Sequence, residues 1–318
     1  MKRLSAFILL LTIFTGLAGC GTGEPETADT LTEDTRQTLM WDMILSATDL
    51  DPDQPGEGAY IFDSQKYFYL GTFQGYDAVY AEGAPLAVWD VNVGQEHFFG
   101  PSLSTILLLQ GTSAIDFWEA YRDDRIDEDT LFSLAKRLYL LQRARFGPDR
   151  LAEAYGDFAE RYAAEDPADQ TYVQALDDEK RQSLMRGIIC YNAKTAHGWD
   201  INNPGEGDLI FRYDEERKTG YWYMGTYSGY AVVYTRINAN EPWAEQVGEE
   251  LFSDVQPFAV NLYHNGQSFT LEEALQKELI TDADLMALAK RVYHFLLNHT
   301  DDPARIKELY GEFAARYE

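Results

Sequence analysis

Apolar residues recur at three- and four-residue intervals over 34–47 (Leu39, Met43, Leu45) and again over 177–195 (Leu184, Ile188), the spacing of helices with one buried face. Each predicted helix runs into a Pro-Gly-x-Gly break, at Pro55–Gly58 and Pro204–Gly207, which must be loop. The pattern then changes to aromatic and β-branched runs, Tyr67–Leu70 with Tyr76–Tyr80 and Tyr221–Met224 with Tyr230–Tyr234. Each pair is separated by two small polar residues, Gln74-Gly75 or Ser228-Gly229, as in a two-residue hairpin whose turn needs positive φ. A third strand is predicted at Leu103–Leu109 and at Phe258–Tyr263. Asn265-Gly266, a strong hairpin turn, follows the second; Gln110-Gly111 follows the first. Helical spacing returns at Leu131, Leu134, Ala135, Leu138, Leu141 behind an Asp127 cap, and at Leu285, Leu288, Ala289, Val292, Leu296 behind Thr281. A short helix over Glu272–Leu279 precedes the second of these, and last helices end at Tyr162 and Tyr317.

The two halves carry the same blocks in the same order. Arg36–Met40 matches Arg181–Met185, Pro55–Gly58 matches Pro204–Gly207, and Gly71–Tyr80 matches Gly225–Tyr234. Ala135-Lys136-Arg137 matches Ala289-Lys290-Arg291, and Tyr155–Ala159 matches Tyr310–Ala314. A period near 150 residues is too long for a solenoid unit, so each copy has the size of a domain. Strands grouped centrally and helices at the ends predict an α+β class: two tandem homologous domains, 36–165 and 177–318, joined by a linker over 166–176. Each is expected to hold an N-terminal helix, a small antiparallel sheet and C-terminal helices.

The amino terminus reads differently. Lys2-Arg3, the apolar run Ala6–Phe14 and Leu17-Ala18-Gly19-Cys20 have the plan of a secretory signal peptide. Leu17–Cys20 resembles the lipobox of bacterial lipoproteins, which implies cleavage after residue 19, lipid on Cys20, and an extracytoplasmic, membrane-anchored chain. Residues 20–35 are polar and acidic, as expected of a disordered tether.

The formal charge of −27 excludes nucleic acid as a partner, which requires basic patches. Lipidation of Cys20 leaves Cys190 without a disulfide partner. Its apolar surroundings, Leu184–Ile189, suggest a packed thiol. None of the five histidines, His97, His197, His264, His294 and His299, has a counterpart in the other repeat, and no zinc-ligand spacing occurs. Asp49, Asp51 and Asp53 alternate as in a calcium loop. An EF-hand would need Gly at position 54 and Glu at position 60, which hold Gln54 and Tyr60. Calcium is thus the one cofactor left in view. Neither a phosphate loop nor a Gly-x-Ser-x-Gly elbow is present.

Two sets of residues are candidates for recognition. Glu57 and Glu206 sit on glycine-flanked loops, where a carboxylate can approach a ligand closely or serve as acid and base. Tyr76, Trp222 and Tyr230 belong to strands of an antiparallel sheet, which commonly has one wet face; aromatics there would meet a protein, peptide or glycan of the envelope. The hairpin, the Asn-Gly turn and the Thr-x-x-Asp-Leu helix start at Thr281–Leu285 resemble domains of secreted and lipid-anchored proteins of Gram-positive gut bacteria, a group without an assigned activity. The sequence therefore suggests a non-catalytic module with two similar binding faces, the rival being an envelope hydrolase that uses the loop carboxylates.

Overall fold

The computed structural model describes residues 31–63, 67–83, 89–100, 104–163, 176–212, 219–237 and 242–318. The signal segment, Cys20, most of the tether, Leu103 and linker residues 166–175 lie outside that set. The tether is shorter than 20–35: Thr32 caps a helix that begins at Glu33, and Leu31 is buried.

The first repeat runs α1 (Glu33–Ser46), β1 (Tyr67–Phe73), β2 (Tyr76–Glu82), β3 (Trp89–Val93), β4 (Glu96–Gly100), β5 (Ser104–Gln110) and β6 (Ser113–Asp116). It closes with α2 (Phe117–Arg122), α3 (Glu128–Phe146), α4 (Pro148–Tyr155) and α5 (Asp157–Ala163). The second repeats this order with α6 (Asp178–His197), β7 (Gly220–Tyr227), β8 (Tyr230–Arg236), β9 (Trp243–Val247), β10 (Glu250–Asp254), β11 (Phe258–His264) and β12 (Gln267–Thr270). Its closing helices are α7 (Leu271–Gln276), α8 (Asp282–Asn298), α9 (Pro303–Tyr310) and α10 (Glu312–Tyr317). The α+β class holds. Each repeat has a four-stranded antiparallel sheet, ordered β1-β2-β5-β6 or β7-β8-β11-β12, and a separate two-stranded ribbon, β3-β4 or β9-β10. The predicted hairpins form with both turn residues at positive φ, Gln74 at 49° and Gly75 at 83°, Ser228 at 47° and Gly229 at 86°. This turn hand matches the twist of the strands it joins.

The first helix of each repeat packs on the sheet of the other. α1 lies on β11 and β12, α6 lies on β5 and β6, and the two helices touch. Alternate side chains of each sheet therefore serve two cores. On one face Phe68, Tyr80, Ile106 and Leu108 meet Leu131, Leu134 and Leu138 of α3; Met224, Val232 and Leu262 meet Leu285 and Leu288 of α8 in the same way. On the other face Tyr69, Val79 and Leu107 join Tyr223, Val233 and Tyr263 in a central core. Met40, Met43 and Ile44 of α1 and Met185, Ile188 and Ile189 of α6 complete it. Each such side chain contributes about 2 kcal/mol on burial, so the central core ties the repeats firmly. The units that repeat in sequence are not the units that pack. The wet sheet face expected from the alternation is absent from β1, β2, β7 and β8, because the exchanged helix covers it.

Two features fasten the exchange. Arg36 donates through Nη2 to the Gly207 carbonyl at 2.7 Å and through Nη1 to that of Leu209. Reciprocally, Arg181 donates through Nη2 to the Gly58 carbonyl at 3.2 Å and through Nη1 to that of Tyr60. The Pro-Gly-x-Gly loops are thus sockets for the other repeat's arginine. Their shape depends on glycine: a Cβ on Gly56 would lie 2.8 Å from the Phe62 carbonyl oxygen, and Gly58 has φ of 59°. In addition, the β11-β12 hairpin tip docks on α1, with the Gly266 N–H donating to Asp42 at 2.9 Å. On α6 the matching residue is Gly187, where a Cβ would come within 2.7 Å of the Gly111 carbonyl.

The ribbons were not predicted, although Val-Gly-x-Glu marks both turns, at Val93–Glu96 and Val247–Glu250. Their glutamates anchor the chain ends of the repeats. Buried Glu96 receives Tyr162 Oη at 2.7 Å and Arg161 Nη2 at 2.6 Å. Buried Glu250 receives Tyr317 Oη at 2.7 Å and Arg316 Nη2 at 2.5 Å. Burial, and then the carboxylate neighbour, pushes both tyrosine hydroxyls above their usual range, so both stay protonated donors.

Candidate ligand-binding cavity

Of the recognition candidates, Glu57 lines an open cavity. This space, about 730 Å³, lies over the first repeat between its Pro-Gly-x-Gly loop, β1 and the end of α3. Glu57, Tyr60, Phe62, Asp63, Phe68, Leu141 and Arg145 form much of its wall. The loop presents Glu57 outward because its backbone is spent elsewhere: Gly56 N–H donates to Ile61 and Tyr60 N–H to Glu57, both at 3.0 Å. Tyr60 pairs with Phe68 as an isolated bridge and rests its ring on it, with centroids 4.5 Å apart. The tyrosine is nonetheless 42% exposed, one of few large aromatics in the described chain with an open face.

Arg145 closes the inner end. Its guanidinium lies over the Phe68 ring at 4.3 Å and pairs with the nearly buried Glu82 at 3.0 Å. Nη1 is buried and has no hydrogen-bond partner among the described residues. A charged group held this way is oriented by packing and does not swing freely.

The second repeat fills the corresponding space. Phe68 is matched by Trp222 and Leu141 by Phe295, and these two larger rings meet with centroids 5.6 Å apart. Tyr60 is matched by Leu209, whose bridge is to Trp222. The polar end is rebuilt as well. His299 stands where Arg145 stands and stacks on Phe295 at 4.0 Å. Arg236 stands where Glu82 stands and pairs at 3.2 Å with Asp254, which is fully buried and takes the place of Gly100. Tyr234 Oη also donates to Asp254. Volume and charge have both changed, in a set of residues that touch.

The other candidates are placed apart. Glu206 is 91% exposed at its side chain and faces Arg212 at 3.6 Å. Tyr76 and Trp222 are half-buried against the cores of their own repeats. Tyr230, also half-buried, lies against His264 and Phe269. Cys190 is buried in the central core, where burial pushes its thiol up to about 11, so it packs as a neutral group. Asp51 is occupied by its own loop, accepting from Asp53 N–H at 2.8 Å and Gln54 Nε2 at 2.6 Å. No group of three or more His, Cys, Asp or Glu with metal-site geometry occurs among the described residues. Sequence reasoning passed over Tyr60, Leu141 and Arg145. The signal for them was the mismatch between aligned repeats, not a motif.

No family model, curated protein or solved structure matches the chain.

Proposed function

We propose that this chain is a lipid-anchored, extracytoplasmic binding protein that holds a small ligand in the first-repeat cavity. The observation that carries the reading is the paired difference between the repeats. Two copies keep the same hairpins, arginine sockets and terminal anchors, yet one is hollow where the other is filled by Trp222 and Phe295. An open, concave, mostly apolar space with a few fixed polar groups suits a small molecule. The lipobox-like Leu17–Cys20 supports the anchor. The reading has one site per chain, in place of the two equal faces expected from the duplication.

Transplanting the second repeat's side chains, Phe68→Trp with Leu141→Phe, fills the cavity and tests this. Small molecules retained from an envelope extract, identified by mass spectrometry after denaturing the washed protein, should be present on the native chain and lost from the variant. Equal retention by both would sink the reading. A second reading, hydrolysis, is kept in view because Glu57 reaches the same cavity. It requires that Glu57→Gln stop turnover of the retained molecule, whereas the binder leaves that molecule unchanged in either form.

A further inference from the structure

We infer that the ligand of this cavity is a neutral saccharide of about two rings, stacked on Tyr60; the inference rests on the binding reading above. Two observations converge on that class. First, the wall offers a single free aromatic face. Phe62 and Phe68 are buried, Arg145 already covers the Phe68 ring at 4.3 Å, and Tyr60 alone is exposed. One open ring is a platform, suited to the C–H face of a pyranose. A quaternary ammonium prefers a cage of several rings, and here it would lie beside the Arg145 guanidinium.

Second, the wall carries both signs. Glu57 and Asp63 are exposed acceptors on the rim, and Arg145 is a donor at the inner end. An anion would meet those two carboxylates on a chain of net charge −27. A ring of hydroxyls conflicts with neither sign, since each hydroxyl donates to a carboxylate or accepts from a guanidinium. The volume of about 730 Å³ falls within the range of small-ligand sites and takes a disaccharide.

The test is isothermal titration calorimetry on the full chain in a polyoxyethylene detergent. The probes are cellobiose, maltose and the N-acetylglucosamine disaccharide, with tetramethylammonium and glucuronate as charged controls. At least one disaccharide should bind and both controls should not. Tyr60→Ala should weaken that binding at least about tenfold, as loss of a stacking face does. Tyr60→Phe, which keeps the ring, should stay within about threefold. The filled variant, Phe68→Trp with Leu141→Phe, should not bind. No heat from any disaccharide at about 10 mM would overturn the inference, as would binding that survives in the filled variant. If tetramethylammonium or glucuronate binds the native chain and not the filled variant, the cavity stands and the saccharide falls. If the filled variant also retains the same envelope molecules as the native chain, the binding reading falls with it.

Discussion

Arg36 and Arg181 are the residues on which the exchange of helices turns. Each is almost wholly buried, and each donates to two carbonyls of a loop that has no other donors for them among the hydrogen bonds described. Replacing Arg36 by Ala leaves the Gly207 and Leu209 carbonyls unpaired in a tight site, and about 3 kcal/mol of stability should be lost. Lysine should rescue little of it. A point-like ammonium lacks the planar fork that reaches two acceptors at once. Urea denaturation of Arg36→Ala, Arg36→Lys and the native chain checks this, and a loss under about 1 kcal/mol for the alanine variant would rule out the clasp as described. In the sequence these arginines stand only as the first residues of a repeated block, Arg36–Met40 and Arg181–Met185. Their partners lie more than 120 residues away, and no local pattern encodes that pairing.

At the scale of elements, hairpins and helix starts were legible because their chemistry is local. Gln74-Gly75 and Ser228-Gly229 announce turns that need positive φ, and Asp127 and Thr281 announce N-caps. The structure adds that these signals are wired together. Gln74 donates to Asp127 at 2.6 Å and Ser228 donates to Asp284 at 2.7 Å, so each hairpin tip grips the start of α3 or α8. The ribbons escaped notice because five-residue strands of mixed polarity carry too little alternation to stand out. The Thr130 backbone N–H, foremost among its partners, holds the Asp127 carboxyl below its usual range. Burial pushes the Asp284 carboxyl up, but the Thr281 N–H and the Ser228 and Thr281 hydroxyls outweigh it, and it too ends below that range. A depressed folded value means that the stabilisation is complete above the ordinary carboxyl pKa and is lost as pH falls through the folded value. Between about pH 4 and about pH 2 the native chain should therefore lose stability faster than the Asp127→Asn, Asp284→Asn double variant, whose caps do not titrate. Parallel acid titrations followed by circular dichroism would show it; superimposable curves would refute the wiring.

Packing between elements asks more of single positions than their composition suggests. Gly187 is a helix-interior glycine, which ordinarily weakens a helix by about 1 kcal/mol relative to alanine. On propensity alone Gly187→Ala stabilises. Here the added methyl meets the Gly111 carbonyl oxygen at 2.7 Å, a backbone atom that cannot yield as a side-chain end would, while the Leu109 methyls stand at 3.4 and 3.6 Å. The exchange contact should win, with a net loss of about 1–3 kcal/mol measured by thermal or urea unfolding. A gain would mean that the β5-β6 tip does not press on α6 as described.

For the molecule as a whole, the decisive fact is that the central core is built from both repeats. An α+β class and a duplication were readable from block order and periodicity. Which sheet a helix covers was not, because α1 and α6 present the same kind of apolar face and either sheet accepts it. The exchange makes a mechanical claim. Two beads on a string unfold in two steps, but here removing one repeat strips the other of the helix that covers its sheet. The full chain should unfold in a single transition. Val79→Ala in the first repeat and Val233→Ala in the second, both fully buried in the central core, should each lower that one midpoint by an amount worth about 2 kcal/mol. A protease site placed between Ala163 and Leu176 carries the argument further. After cleavage the two fragments should still elute together in native gel filtration, because what holds them is the Arg36 and Arg181 sockets and the shared core, not the peptide link. After unfolding in urea and dilution they should reassemble in a one-to-one complex, with a midpoint that rises with concentration, as for any bimolecular association. Fragments that separate on cleavage, each retaining its own sharp transition, would show two self-sufficient domains and refute the exchange. Co-elution with a concentration-dependent midpoint would establish that the duplicated chain folds as the covalently joined counterpart of an exchanged dimer. In that arrangement one half holds an open cavity while the matched half sets Trp222 against Phe295 in the corresponding space.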